Sequence, residues 1–277
     1  MVIRAENLSY TYSEGGPFER AALNDVSMTI KDGEFVGIIG HTGSGKSTLV
    51  QHFNGLLQPV SGRVIVGDID LSAKKADLKT VRTKVGLVFQ YPEHQLFEET
   101  VRRDIAFAPV NMGFSPVEVN ERVERAARLV GLSEEILDKS PFEISGGQKR
   151  RAAIAGVLAM DPEVLVLDEP TAGLDPHGRK EILAGLLKLH RETGITVILV
   201  SHGMEDIADT VQRLYVMNMG RIVMEGTPLE VYARYEELEE IGLTAPPVTK
   251  LIKRLYGADI CTLSQAKEYI LGVIGRA

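Results

Sequence analysis

Gly40-His41-Thr42-Gly43-Ser44-Gly45-Lys46-Ser47, followed by Thr48, spells G-x-x-x-x-G-K-S directly after the aliphatic run Phe35–Ile39. Glycines in such a loop let backbone N–H groups crowd around phosphate oxygens, and a helix starting at its end turns a positive dipole toward the same anion. Lys46 adds a point charge suited to the β- and γ-phosphates, and Ser47 a hydroxyl suited to Mg²⁺. Residues Gly40 through Thr48 are therefore candidate nucleotide-binding positions, with ATP and Mg²⁺ as the ligands this chemistry fits.

A second run, Val164-Leu165-Val166-Leu167, delivers Asp168-Glu169, and Pro170 ends it. Asp168 suits the outer coordination of Mg²⁺, which leaves Glu169 free to polarise an attacking water. Two acids after a strand say little alone. In one sheet with a phosphate loop they complete a hydrolytic site.

Ser145-Gly146-Gly147-Gln148 forms a capping-box pattern that predicts a helix running to about Met160. Its two glycines bare the backbone donors of the first turn, which makes a second anion site with Lys149 nearby. Taken alone the pattern is equally a well-capped helix. Beside a phosphate loop, the simplest use for a second anion site is the nucleotide held by another subunit.

The elements that must position these groups are legible as near-continuous aliphatic runs. Val85–Phe89 delivers Gln90, and Ile195–Val200 delivers Ser201-His202. Such runs suit a parallel sheet buried on both faces, where ligands bind beyond the carboxyl ends of the strands. Four polar loops should then converge on one crevice. Residues 2–12 and 23–30 alternate as half-exposed antiparallel strands do, and Arg63–Val66, 213–217 and 221–224 read as further strands. Residues 100–160 look mainly helical, punctuated by Pro109, Pro116 and Pro141. After Leu243 the break Ala245-Pro246-Pro247 precedes two short helical patterns, with Val248, Leu251, Ile252 and Leu255 on one stripe and Ala266, Tyr269, Ile270 and Val273 on the other.

Bulk properties narrow the class. The 277 residues carry a formal charge of −7 and an apolar share of 44%. Lys149-Arg150-Arg151 and Arg102-Arg103 are the densest basic runs and read as solvated helix faces, so a nucleic-acid partner is not expected. Cys261 is the only cysteine, which excludes an internal disulfide and fits a reducing compartment. The first residues show no signal pattern, and no apolar stretch approaches the roughly 20 residues of a membrane span. Any membrane role is expected to run through a partner.

The order of phosphate loop, Gln90, SGGQ, LVLDE, Ala172-Gly173-Leu174-Asp175 and His202 resembles the ATPase domain of ABC transporters over residues 2 to about 235. The resemblance implies an α/β P-loop NTPase of ABC type, with a parallel core sheet, an antiparallel β subdomain and an inserted helical subdomain at about 100–160. The ATPase domain would occupy 1–243, and 244–277 a small C-terminal helical appendage, a candidate dimerisation element. It further implies a head-to-tail dimer with ATP between one chain's phosphate loop and the other's Ser145, Gly146, Gly147 and Gln148. Tyr12 would stack on adenine, Gln90 contact Mg²⁺ and water, Asp175 act across the dimer, and His202 hold the γ-phosphate. Glu169, His202, Lys46 and Gln90 would form the catalytic set, with Ser47, Gln90 and Asp168 at the metal.

More narrowly, Phe89–Thr100 and Asp104–Phe107 resemble the ATPases of energy-coupling-factor importers of vitamins and metal ions, and Gly40-His41-Thr42-Gly43 with Ala155–Met160 resemble the second of their two ATPase types; Ala108 departs from the usual glycine. That resemblance implies a related, non-identical ATPase partner (a homodimer being the alternative), a transmembrane scaffold and a substrate-binding membrane subunit, at the cytoplasmic face of the membrane. The segment after Gln90, with Tyr91, Glu93, Leu96, Phe97, Glu98 and Glu99, is expected to be an exposed docking groove for the scaffold. The ATPase of another importer, for amino acids or metal ions, is the nearest alternative. A non-transport ABC protein fits less well, because there is one phosphate loop and no heptad array.

Overall fold

The computed structural model describes residues 1–274. The chain begins with strands β1 (Ile3–Tyr12), β2 (Arg20–Ile30) and β3 (Phe35–Gly40), helix α1 (Lys46–Phe53), strands β4 (Ser61–Val66) and β5 (Ile69–Asp70), helix α2 (Leu78–Lys84) and strand β6 (Val85–Val88). Four helices follow: α3 (Val101–Asn111), α4 (Pro116–Leu129), α5 (Glu134–Leu137) and α6 (Gly146–Leu158). The core then resumes with β7 (Val164–Asp168), α7 (Pro176–Thr193), β8 (Thr196–Val200), α8 (Met204–Thr210), β9 (Arg213–Asn218) and β10 (Arg221–Gly226). Helices α9 (Pro228–Ala233), α10 (Tyr235–Glu240), α11 (Pro247–Tyr256) and α12 (Leu263–Ile274) close it.

The core sheet runs β10-β9-β3-β8-β7-β6 and is parallel except for β10, which pairs antiparallel with β9 at the edge. Alternate residues of the central strands enter two different cores, as strands covered on both faces require. Phe35, Leu165, Leu167, Val197 and Leu199 face α6 and α7, while Val36, Val164, Val166, Ile198 and Val200 face α1 and the antiparallel sheet β2-β1-β4-β5. Each such side chain contributes about 1.5–3 kcal/mol by leaving water. The sheet is therefore a rigid base, and the loops at the carboxyl ends of β3, β6, β7 and β8 are fixed relative to one another.

Several expectations need correction. Pro109 does not punctuate the helical region; it lies inside α3, in the last turn, where Met112 still donates to the Ala108 carbonyl. The first tail stripe splits: Val248 and Ile252 are buried, but Leu251 and Leu255 face solvent. On the second stripe Ala266 is buried and Val273 exposed. The tail thus packs with one narrow face, α11 on α12, while Ala245 and Cys261 join the main core. In the expected groove Tyr91, Phe97 and Glu99 are open, Phe97 edge-on to Phe107 with ring centroids 5.0 Å apart, while Leu96 packs on the core. Glu93 is not a free rim charge, and Arg150 is not a solvated one, because the two are ion-paired inside the molecule.

Candidate active site

The phosphate loop runs from the end of β3 to the start of α1. Gly45 has φ +102°, and a Cβ there would lie 2.5 Å from the Ala22 carbonyl oxygen, so only glycine lets the loop close against β2. Lys46 is buried, and its Nζ donates to the carbonyls of Gly40 at 2.7 Å and His41 at 2.8 Å. Burial pushes its pKa down, against the opposing pull of Glu169 and Asp168.

Thr42, Gly43, Gly45, Lys46, Ser47 and Thr48 line a cavity of about 270 Å³. Gln90, Glu169 and His202 enter the same cavity from the ends of β6, β7 and β8. Tyr12, Arg20 and Ala22 reach it from the antiparallel sheet. The Tyr12 hydroxyl lies 3.1 Å from that of Thr48, and its ring meets Tyr10 edge-on.

Glu169 sits with φ +54°, uncommon for a non-glycine residue, and its N–H donates to the Val200 carbonyl at 2.9 Å. Its carboxylate accepts from Gln90 Nε2 at 3.0 Å on one oxygen and meets His202 Nε2 on the other. Strain of this kind persists only where neighbours over-determine it, and it concentrates at functional sites. A carboxylate held between an amide and an imidazole at the mouth of a phosphate loop has the chemistry to take a proton from water. Asp168 is buried one residue earlier; desolvation pushes its pKa up, opposed by the Ser47 hydroxyl, Lys46 and His202.

Other singled-out residues lie elsewhere. Gly40 contributes its carbonyl to Lys46, and the Ser44 hydroxyl is buried without a partner among the described residues. The His41 ring bonds the Ile241 carbonyl, away from the cavity lining. Ser145, Gly146, Gly147 and Gln148 form the expected capping box at the start of α6 but do not line this cavity. Asp175 caps α7, accepting from the Gly178 N–H at 2.7 Å. Arg20 and Ala22 escaped sequence reading. Arg20 pairs opposite Tyr12 in the β1/β2 register, which would have been the only signal for it.

A phosphate loop between an antiparallel sheet and a parallel core, with a helical insertion carrying a second glycine-capped helix, defines an ATP-binding cassette. The ABC transporter family profile matches residues 23–172. The energy-coupling factor transporter ATP-binding protein EcfA2 of Clostridium tetani is 54% identical over 280 residues, covering 99% of this chain and 97% of that one. Among solved structures, cbiO1 of Clostridium perfringens, described as part of the ABC transporter complex cbiONQ, superposes with a TM-score of 0.76 at 41% identity over 86% of this chain and 93% of its own. A dimeric ATP-binding cassette in a post-hydrolysis state, MJ0796 with ADP and Pi, gives 0.73 at 31% identity, covering 82% of this chain and 98% of its own. The chain belongs to the ABC transporter ATP-binding family, within its energy-coupling factor branch. It binds ATP and hydrolyses it in the service of transport. Among the described residues no helix is long and apolar enough to cross a membrane.

Proposed function

We propose that this chain is one of two related ATPase subunits of an energy-coupling factor importer. In this reading it works at the cytoplasmic face of the membrane, on a transmembrane scaffold that serves a substrate-binding subunit for a vitamin or metal ion. The observation that carries it is the Glu169 carboxylate bracketed by Gln90 and His202 at the phosphate-loop cavity. Loop N–H groups and Lys46 would hold the phosphates, Tyr12 the base, Glu169 the attacking water, and His202 the γ-phosphate.

Mg²⁺ fits the residues present. Asp168 Oδ1 is buried with no hydrogen-bond partner among the described residues, beside the Ser47 hydroxyl. No cluster of three or more acidic, His or Cys side chains could hold a cation there alone among the described residues, so its remaining ligands would be phosphate oxygens and water. Ser47, Gln90 and Asp168 would hold it, and when bound it supplies neutralising charge to the β- and γ-phosphates.

The helix α6 supports the pairing. A Cβ on Gly146 or Gly147 would meet nothing within 4 Å in this chain, so no contact inside the chain requires glycine at either position. Their bareness serves something outside the chain, and a partner's nucleotide is the reading that fits. Glu169→Gln should bind ATP as the parent does and lose turnover by a factor on the order of 10²–10⁴. Lys46→Ala should weaken both. Near-parent turnover of Glu169→Gln in the membrane assembly would remove Glu169 from the role of base.

A further inference from the structure

Arg150 belongs to the basic run after SGGQ, yet it is 1% exposed. A buried guanidinium is stable only when its donors are matched, and here they are. Nε and Nη2 donate to the two oxygens of Glu93 at 3.0 and 2.5 Å, a bidentate pair. Nη1 donates to the carbonyls of Pro170 at 2.9 Å and Ala172 at 2.8 Å. Three separate segments meet at this one side chain.

Each segment leads to the hydrolytic end of the cavity. Glu93 lies in the turn Pro92–Gln95, just after Gln90 and the strained Tyr91 with φ +54°. Pro170 and Ala172 belong to a tight turn in which the Ala172 N–H returns to the Glu169 carbonyl at 3.1 Å. Arg150 itself stands one turn into α6, the helix that begins at the SGGQ glycines. Burial alone would raise the Glu93 carboxyl; the Arg150 hydrogen bond and a backbone N–H outweigh it and hold the group below its ordinary range, so the pair is ionised at neutral pH.

We propose that Arg150 is a positioning residue for ATP hydrolysis: through Glu93 it sets Gln90, and through the Pro170 and Ala172 carbonyls it sets Glu169, tying both to the orientation of the SGGQ helix. This rests on the reading of Glu169 as the base. A displacement of α6 would be felt at both hydrolytic side chains, so a nucleotide captured at one chain's SGGQ would adjust hydrolysis at that chain's own phosphate loop. Lysine cannot replace the guanidinium, because a point charge cannot span a carboxylate and two carbonyls at once.

The test uses the full chain in the assembly it forms at the membrane, with Glu93→Gln, Arg150→Lys, Arg150→Met and, as a control, Glu169→Gln. Trinitrophenyl-ATP titration gives Kd, steady-state hydrolysis gives kcat, and thermal unfolding reports the fold. Glu93→Gln and Arg150→Lys should fold and bind with Kd within about twofold of the parent, while kcat falls roughly tenfold to a hundredfold, the cost of slightly misplaced groups. The Glu93→Gln, Arg150→Lys double variant should fall no further than the worse single one, because both act through one contact. Arg150→Met should be at least as slow; should it not fold, the other two decide. Parent-like kcat in both folded variants, with Glu169→Gln inactive, overturns the proposal. So does a loss of binding that matches the loss of kcat, which marks a merely structural pair. An active Glu169→Gln would instead remove the base assignment beneath it.

Discussion

Asp168 and Lys46 are opposite charges buried together where β7 and α1 meet the cavity, and each is held away from its ordinary pKa first by desolvation. For Asp168 the folded value is raised, so folding favours the protonated form. Its stabilising effect is complete below the unfolded carboxylate pKa and is lost as pH rises through the folded value, leaving a net cost at neutral pH. Asp168→Asn should therefore raise the unfolding temperature of the nucleotide-free chain at pH 7. The same change should lower Mg²⁺-dependent turnover on the order of 10²–10³-fold, because the charge proposed to face the cation is gone. A variant both less stable and fully active would refute this division of cost and use. The residues of this site were legible because their chemistry confines them to short local patterns: glycines and lysine in one loop, two acids after one strand. Arg20, Glu93 and Arg150 were not, since each acts through contacts between distant segments. The His41 ring likewise takes its partner 200 positions away, at Ile241.

Aliphatic runs predicted the strands of the core sheet because a strand buried on both faces has no other composition open to it. Helical stripes were less informative. Val248, Leu251, Ile252 and Leu255 share one side of α11, yet only Val248 and Ile252 turn inward. Periodicity marks an apolar side of a helix without saying how much of its width the core covers. Leu251 and Leu255 remain 55% and 62% exposed, and Leu263 and Leu271 of α12 are open as well. A surface of this kind is suited to a second protein. Replacing Leu251 and Leu255 with glutamate should leave the fold intact, since exposed substitutions shift stability by about 0.5 kcal/mol or less. In the nucleotide-free state it should loosen the pair of ATPases, read by sedimentation of the purified assembly. Unchanged association would leave α11 with no role beyond its own chain.

The molecule as a whole does not bring its phosphate loop and the glycine-capped start of α6 together. The phosphate loop, Glu169 and His202 share one cavity, and Ser145 to Gln148 lie outside its lining. The helix α6 is capped at both Ser145 and Gln148, with hydrogen bonds of 2.9 and 3.3 Å, so its first turn is already built without a ligand. The capping box and the phosphate loop were each readable in the sequence. The separation of the two halves was not, because it depends on where the whole helical insertion lies against the core sheet.

The proposed dependence of turnover on a second chain is tested most directly by Gly147→Asp. A Cβ at this position meets nothing within 4 Å in its own chain, and an acid in the first turn suits the helix dipole, so folding should be untouched. Measured in the purified membrane assembly, ATP binding at this chain's phosphate loop should stay at the parent level. Turnover should fall on the order of a hundredfold, because a carboxylate now faces the phosphates that the partner chain presents. Parent-level turnover in that variant would contradict a composite site and leave α6 as nothing more than a well-capped helix.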